Sequence, residues 1–291
     1  MKKIGITADC SSCLEYAPFE HNIKITRTSI NFGDQVLVDG VDIKADEFYK
    51  KLENSDIVPS TSAPTPREII RAVEACKKEG CEIVIHFPIS FGLSAYGENL
   101  QAVGDDYVDD VELKVYNPHT ACLNQGYLAH YAEILANKGY SYDEIISECD
   151  KLANQQVSYF VVDDLKYLVK NGRLNVISGF VGSLIKIKPI LRLGQSGTID
   201  IHEKIRTHAK AIDRMFSIVE EETKNAKEVI YIVQHSNRHE LAEKMAERVK
   251  NTFSNAKRVE ISVVTPTVGA HIGSGLVSIC YIICDGLKED I

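Results

Sequence analysis

No stretch of this 291-residue chain is long and apolar enough to cross a bilayer. The longest apolar run, LVSICYIIC at 276–284, falls well short of the ~20 residues that a spanning helix needs. An excess of basic residues is also missing. The formal charge is −8, which argues against general nucleic-acid binding, because phosphate contacts need a basic surface that releases counterions. The opening segment, MKKIGITADCSS, has no apolar region of signal-peptide length, so a cytoplasmic protein is predicted.

Internal repeats and low-complexity tracts are absent, and so are the signatures of nucleotide binding. The glycine-rich segment TPTVGAHIGSGL at 265–276 has Leu276 where a P-loop requires lysine, and Ser278 where the dinucleotide fingerprint requires a third glycine. Cys10 and Cys13 form a CxxC with no second pair and no histidine at metal spacing, so neither zinc nor redox chemistry is expected there. The eight cysteines are scattered and read as reduced thiols. Asp105, Asp106, Asp109 and Asp110 suggest a metal cluster by composition only, without EF-hand spacing. No metal or cofactor is expected.

What is present is an ordinary globular composition, 44% hydrophobic and 25% charged, in a chain of about two domains' length. Short β-branched runs, among them KIGITAD, EIVIHFPI, SYFVVDD, EVIYIVQHS and LVSICYIIC, alternate with amphipathic stretches. That alternation predicts parallel strands joined by crossover helices. Thr65-Pro66-Arg67-Glu68 has capping-box spacing with proline at the first helical position, Ser141 and Glu144 repeat the spacing, and Gly80 closes the first of these helices. The polar segment CDKLANQQ, just before SYFVVDD, marks a boundary. The expected architecture is α/β: two domains, 1–155 and 156–291, with mostly parallel central sheets flanked by helices.

Three segments could build a site. Ser90 and Ser94 lie between a strand ending at Pro88 and the next helix, at the sheet edge where open α/β folds bind ligands. Thr61 and Ser62 lie upstream of the Thr65 cap. His271 sits between Gly269 and Gly273, and a tight turn would explain the glycines but not the histidine. Ser94 with His271 also admits a serine hydrolase, although Tyr96 stands where a GxSxG elbow needs glycine and no acid partner can be nominated. Between Lys166 and Lys210 nine basic residues face two acidic ones. That stretch is either a solvated face or a docking surface for an anionic partner.

Taken in order, ITADCSSCL, INFGDQVLVDGVDIKADEFYKKL, STSAPTP, ISFGLSAY, LKYLVKNGRLN, IKPIL, KIRTHAKA and VGAHIGSG resemble the motifs of the DegV family, the FakB-type fatty-acid-binding proteins of bacteria, over nearly the whole chain. The resemblance implies a carrier rather than an enzyme. One long-chain fatty acid would lie in a tunnel at or near the domain interface, its carboxylate held by Thr61, Ser94 and His271, with Ser62 and the Gly269 loop in support. Phe91, beside that loop, is expected to line the tunnel. The resemblance further implies presentation of the carboxylate to a separate ATP-dependent fatty acid kinase, which makes an acyl phosphate for phospholipid synthesis. The kinase would dock on Arg173, Lys188 and Arg206, and contact with the membrane would be transient. The chain departs from the family pattern at Cys10, Cys13, Ala63, Phe91, Ala95, Tyr96 and the segment 117–126, as a divergent member with its own lipid preference would.

Overall fold

The computed structural model describes residues 2–103, 110–174 and 187–291. The carboxylates Asp105, Asp106 and Asp109, noted from composition, lie outside the described residues, as does Lys186 of the basic stretch. A first sheet is formed by β1 (Ile4–Asp9), β2 (Lys24–Thr26), β6 (Ile83–Phe87) and β7 (Glu112–Val115), in the order β2-β1-β6-β7 with every pair parallel. Crossover helices α2 (Pro66–Lys78) and α3 (Tyr96–Val103) lead into β6 and β7. Every residue of β6 is buried, as expected of a strand inside a parallel sheet.

Helix ends follow local chemistry. Thr65 Oγ1 accepts the Glu68 N–H at the start of α2, with Pro66 at the first helical position. At α5 (Tyr142–Asn154) the Ser141–Glu144 box is reciprocal. Gly80, at φ 85°, ends α2 in a Schellman motif: its N–H bonds Lys77 O and the Cys81 N–H bonds Cys76 O.

The segment KITRTSINF, which reads as one strand, divides between two sheets. Lys24–Thr26 joins the first sheet, whereas β3 (Ser29–Phe32) enters a small antiparallel sheet with β4 (Gln35–Val38) and β5 (Ser60–Ser62), ordered β4-β3-β5. Ile30 and Phe32 of β3 face helix α1 (Ala45–Glu53), where they pack with Phe48, Tyr49 and Leu52.

The second sheet has six strands: β8 (Gln156–Val161), β9 (Ile190–Leu193), β10 (Ile199–Glu203), β11 (Val229–His235), β12 (Ala256–Val263) and β13 (Val277–Ile283), ordered β10-β9-β8-β13-β11-β12. Only β11 and β12 pair in parallel; the other four pairings are antiparallel. The α/β class and the two-domain organisation hold, but the parallel expectation is met in the first sheet and not in this one. Strands buried on both faces read as continuous apolar runs whichever way they point, so the sequence pattern carries no direction.

Helix α4 (Cys122–Asn137) explains that two-sided burial. Leu123, Tyr127, Leu128 and Leu135 share one core with Ile85 and Phe87 of the first sheet and with Ile230, Ile232 and Ile282 of the second. A helix wedged between two sheets must be apolar on most of its circumference, and α4 is buried at ten positions that include Asn124 and Gln125. On its other face the second sheet packs against α7 (His208–Thr223) and α8 (His239–Thr252), through Met215, Phe216, Val219, Met245 and Val249. No helix among the described residues is long and apolar enough to cross a membrane.

Candidate functional site

The segment 265–276 is not a simple loop. Its first half is α9 (Pro266–Ile272), and only Gly273 (φ 79°) and Gly275 (φ 94°) carry the turn into β13. On α9, Thr267 and His271 lie one helical turn apart on the same face. Thr61 occupies the centre of β5, and the period-two alternation of a strand turns it inward while Ser60 and Ser62 stay exposed. Thr61 Oγ1 and His271 Nε2 are 2.8 Å apart.

Burial, and then the nearby positive charge of Arg173, push the His271 pKa down to about 4, so the ring is neutral at pH 7. Its Nδ1 is buried without a partner among the described residues. With the Thr61 hydroxyl donating to Nε2, the neutral ring carries its proton on Nδ1 and can present that N–H to an acceptor.

Arg173 reaches the same place through a second helix ending. Helix α6 (Lys166–Lys170) closes on Gly172, at φ 68°, with the Gly172 N–H bonded to Val169 O and the Arg173 N–H to Leu168 O. The reversal aims Arg173 inward. Its Nε donates to Leu93 O at 3.3 Å, and Nη1 donates to Asn171 O. Ser94, in the turn before α3, accepts the Tyr96 N–H at 3.2 Å.

Thr61, Ser94, Arg173 and His271 all line one cavity between the two sheets, whose empty space, counted with the part open to solvent at its mouth, is about 1090 Å³. Its apolar wall is formed by Phe160, Leu168, Leu193, Ile199, Ile272 and Leu276, all members of one buried cluster. Polar residues also line it, among them Asp9, Ser11, Ser158, Gln234, Thr267 and Ser278.

Asp9 is fully enclosed, and burial raises its pKa against the opposing hydrogen bonds from Ser11, Ile89 N–H and Gln125. A ligand carboxylate placed beside it would meet like charge. Beside Arg173 and His271 it would meet a cation and a donor.

Several expected site residues are elsewhere. Ser62 points away from the cavity and accepts from Asn31 Nδ2 at 3.0 Å. Gly269 lies within α9, where its N–H is already bonded to Thr265 O at 2.8 Å and so is not offered to a ligand. A Cβ at Gly269 would come within 2.6 Å of Tyr49 Oη and 2.8 Å of Phe48 Cε1, so this glycine lets α9 approach α1. Gly269→Ala is accordingly expected to destabilise the fold by ~1–3 kcal/mol, partly by disturbing the Tyr49–Val264 O bond; a chemical-denaturation midpoint equal to wild type would refute that role. Phe91 is not part of the described cavity wall, and its ring covers Gly97.

The docking triad also divides. Arg173 belongs to the cavity. Lys188 is half-buried and donates to Asp163 O at 2.6 Å. Arg206 alone of the three is exposed. The separation of 33 residues between Arg173 and Arg206 within one basic stretch gave no signal of which would face inward.

The hydrolase geometry does not form among the described residues. Ser94 Oγ is engaged by a backbone N–H and His271 Nε2 by Thr61, and no carboxylate orients His271 Nδ1. Cys10 and Cys13 are buried free thiols, Cys10 lying 3.2 Å from Thr267 Oγ1. Burial holds the Cys10 thiol well above its ordinary pKa, which opposes thiolate chemistry. Ser90 is also structural: its hydroxyl donates to Gly197 O at 2.7 Å, tying the first sheet's loop to the β9–β10 turn.

Residues 3–283 match the family described as uncharacterised protein, DegV family. The DegV domain-containing protein lin2658 of Listeria innocua is 31% identical over 281 residues, covering 96% of this chain and 98% of that protein. Among solved structures, DegV, a fatty acid binding protein from Bacillus subtilis, is similar with a TM-score of 0.87 at 28% identity, over 97% of this chain and 100% of that one. The fatty acid binding DegV family protein SAG1342 from Streptococcus agalactiae is similar with a TM-score of 0.86 at 26% identity, over 97% and 99%. Sequence and fold agree along the full length, and the chain belongs to the DegV family.

Proposed function

We propose that this protein is a non-enzymatic carrier that binds one long-chain fatty acid, burying the acyl chain and holding the carboxylate with Thr61, Ser94, Arg173 and His271. The observation that carries the reading is a largely apolar cavity bordered by a neutral His271, whose buried Nδ1 has no partner among the described residues, and by the guanidinium of Arg173. Each buried methylene contributes roughly 0.8 kcal/mol, so a chain of about sixteen carbons supplies on the order of 12 kcal/mol before the costs of immobilisation. The tail provides most of the affinity, and the polar residues set its direction. The relatives described as fatty acid binding support this reading, as does a cavity lined by residues of both sheets; we assign the two units that flank it to 1–155 and 156–291.

Mass spectrometry of lipid released by denaturing the purified protein tests it. Stoichiometric fatty acid from wild type, and little from Thr61→Ala/Ser94→Ala, is expected. An absence of lipid from wild type, together with failure of delipidated protein to take up added fatty acid, would overturn the carrier reading.

The bound carboxylate would then be presented, in the cytoplasm, to a separate ATP-dependent fatty acid kinase that forms an acyl phosphate for phospholipid synthesis. Collection and release of the lipid require transient contact with a membrane surface. Exposed Arg206 is the proposed contact with the kinase, since a rim charge acts chiefly on association. Arg206→Glu should keep lipid binding and lower the rate of carboxylate phosphorylation by roughly tenfold; an unchanged rate with a competent kinase would remove Arg206 from the interface.

A further inference from the structure

We propose that the cavity is built for a fatty acid carrying a hydroxyl, or a similarly compact hydrogen-bonding group, on the part of its chain remote from the carboxylate. The inference rests on the fatty-acid reading and concerns which member of that class is taken. Its basis is a change of chemistry along two adjacent strands. From Leu276, just before β13, the cavity-facing positions run on to Ser278 and Cys280 of the strand, and on β8 they run Phe160, Ser158. The strands pair with Ser278 opposite Phe160 and Cys280 opposite Ser158. Moving along β13 away from the turn that follows His271, the floor thus passes from Leu276 to a patch of hydroxyl and thiol. From Leu276 to Cys280 that path is about 13 Å. Gln234 of β11 adds an amide to the same floor.

This patch is buried, and its side chains bond one another, Asn124, the Gln234 backbone and the Leu123 N–H. Ser158 Oγ donates to Asn124 Oδ1 at 3.3 Å, Gln234 Nε2 to the same oxygen at 3.4 Å and to Cys280 Sγ at 3.1 Å, and the Cys280 thiol to Ser278 Oγ at 3.4 Å. The two bonds to Asn124 are longer than the usual range, so they are weak and can re-form around a guest. A plain methylene or methyl set on this floor can neither donate to nor accept from its hydroxyl, thiol and amide groups. A hydroxyl, which both donates and accepts, is the smallest group that matches the Ser158 and Ser278 hydroxyls and the Gln234 amide of the wall. A second carboxylate is disfavoured, because Asp9 contributes to the same cavity wall.

The test compares delipidated protein binding stearic acid, a mid-chain hydroxystearic acid, and a stearic acid with its hydroxyl beside the carboxyl, by calorimetry. The mid-chain hydroxy acid should bind roughly threefold to tenfold more tightly than stearic acid, and the acid with its hydroxyl beside the carboxyl should show no gain. Ser158→Ala and, separately, Cys280→Ala should abolish the preference, while Cys280→Ser keeps it. Stearic acid binding as tightly as the mid-chain hydroxy acid to wild type would overturn the proposal and leave the carrier reading intact. If none of the three acids binds, both fail together. The wild-type comparison decides the matter even where a variant folds poorly.

Discussion

Arg173→Met is expected to weaken binding of a long-chain fatty acid by roughly 10- to 100-fold while leaving its methyl ester within about twofold. The range follows from a charge-assisted hydrogen bond of ~1.5–3 kcal/mol lost in a buried setting. Methionine retains an unbranched apolar stem of similar reach, so the wall near Leu93 and Leu168 is kept filled. The substitution also removes the bond from Nε to Leu93 O. That loss should affect acid and ester alike, so the ratio of the two affinities isolates the carboxylate contact. Calorimetry on delipidated protein supplies the ratio, and an equal loss for both ligands would show that Arg173 only positions the loop at residues 88–95.

Acidification from pH 6.5 to about 4 should destabilise the ligand-free protein by several kcal/mol, through histidines that are buried in their neutral form. Burial pushes His86 down to about 3, and His235 and His271 to about 4, from an ordinary value of 6.5. Across that window the unfolded chain takes up protons that the folded chain refuses, and each unit of difference is worth roughly 1.4 kcal/mol before allowance for solvent screening. The stabilisation is therefore complete above pH 6.5 and is lost as the pH falls through the folded values. Asp39 acts in the opposite sense: burial raises its pKa to about 6, so the folded state binds that proton first and gains stability below pH 6. Three depressed histidines outweigh it.

His271→Asn should flatten the dependence of the denaturation midpoint on pH, and so should saturation with fatty acid, whose carboxylate favours the imidazolium. A midpoint that is flat between pH 6.5 and 4 in the empty protein would contradict this assignment.

The residues that meet in the cavity come from distant parts of the chain, yet most of them carried a local sign. Hydroxyls placed just upstream of a helix cap, or between a strand and a helix, are visible as such, but that ground offered Ser62 and Ser90 equally, and it was the resemblance to the DegV family that singled out Thr61 and Ser94. His271 stood out because glycines alone did not account for it. Arg173 was nominated as a docking residue, and the structure sets it in the cavity wall. Its inward aim depends on the Gly172 reversal packing α6 against the cavity, and a cation in a basic stretch looks the same whether it faces solvent or a ligand.

Gly269 shows the converse error, since a glycine that lets two helices touch reads like a glycine in a ligand loop until the neighbouring ring of Tyr49 is in place. Helix α4 was illegible at its start for a similar reason: Ala121 offers no side-chain cap, and the Leu123 N–H is satisfied instead by Gln234 Oε1, more than a hundred residues away.

By itself the sequence determined the α/β class, the helix ends at Thr65, Gly80 and Ser141, and the hydroxyl and histidine candidates for a site, because each is set by residues within a turn or two of one another. Tertiary structure alone decided that β13 inserts antiparallel between β8 and β11, that α4 lies between the two sheets, that Arg173 turns into the cavity while Arg206 stays outside, and that Ser158 and Cys280 face each other on its floor. Those outcomes depend on which buried surfaces fit together across long separations, and apolar periodicity records that a face is buried without recording against what.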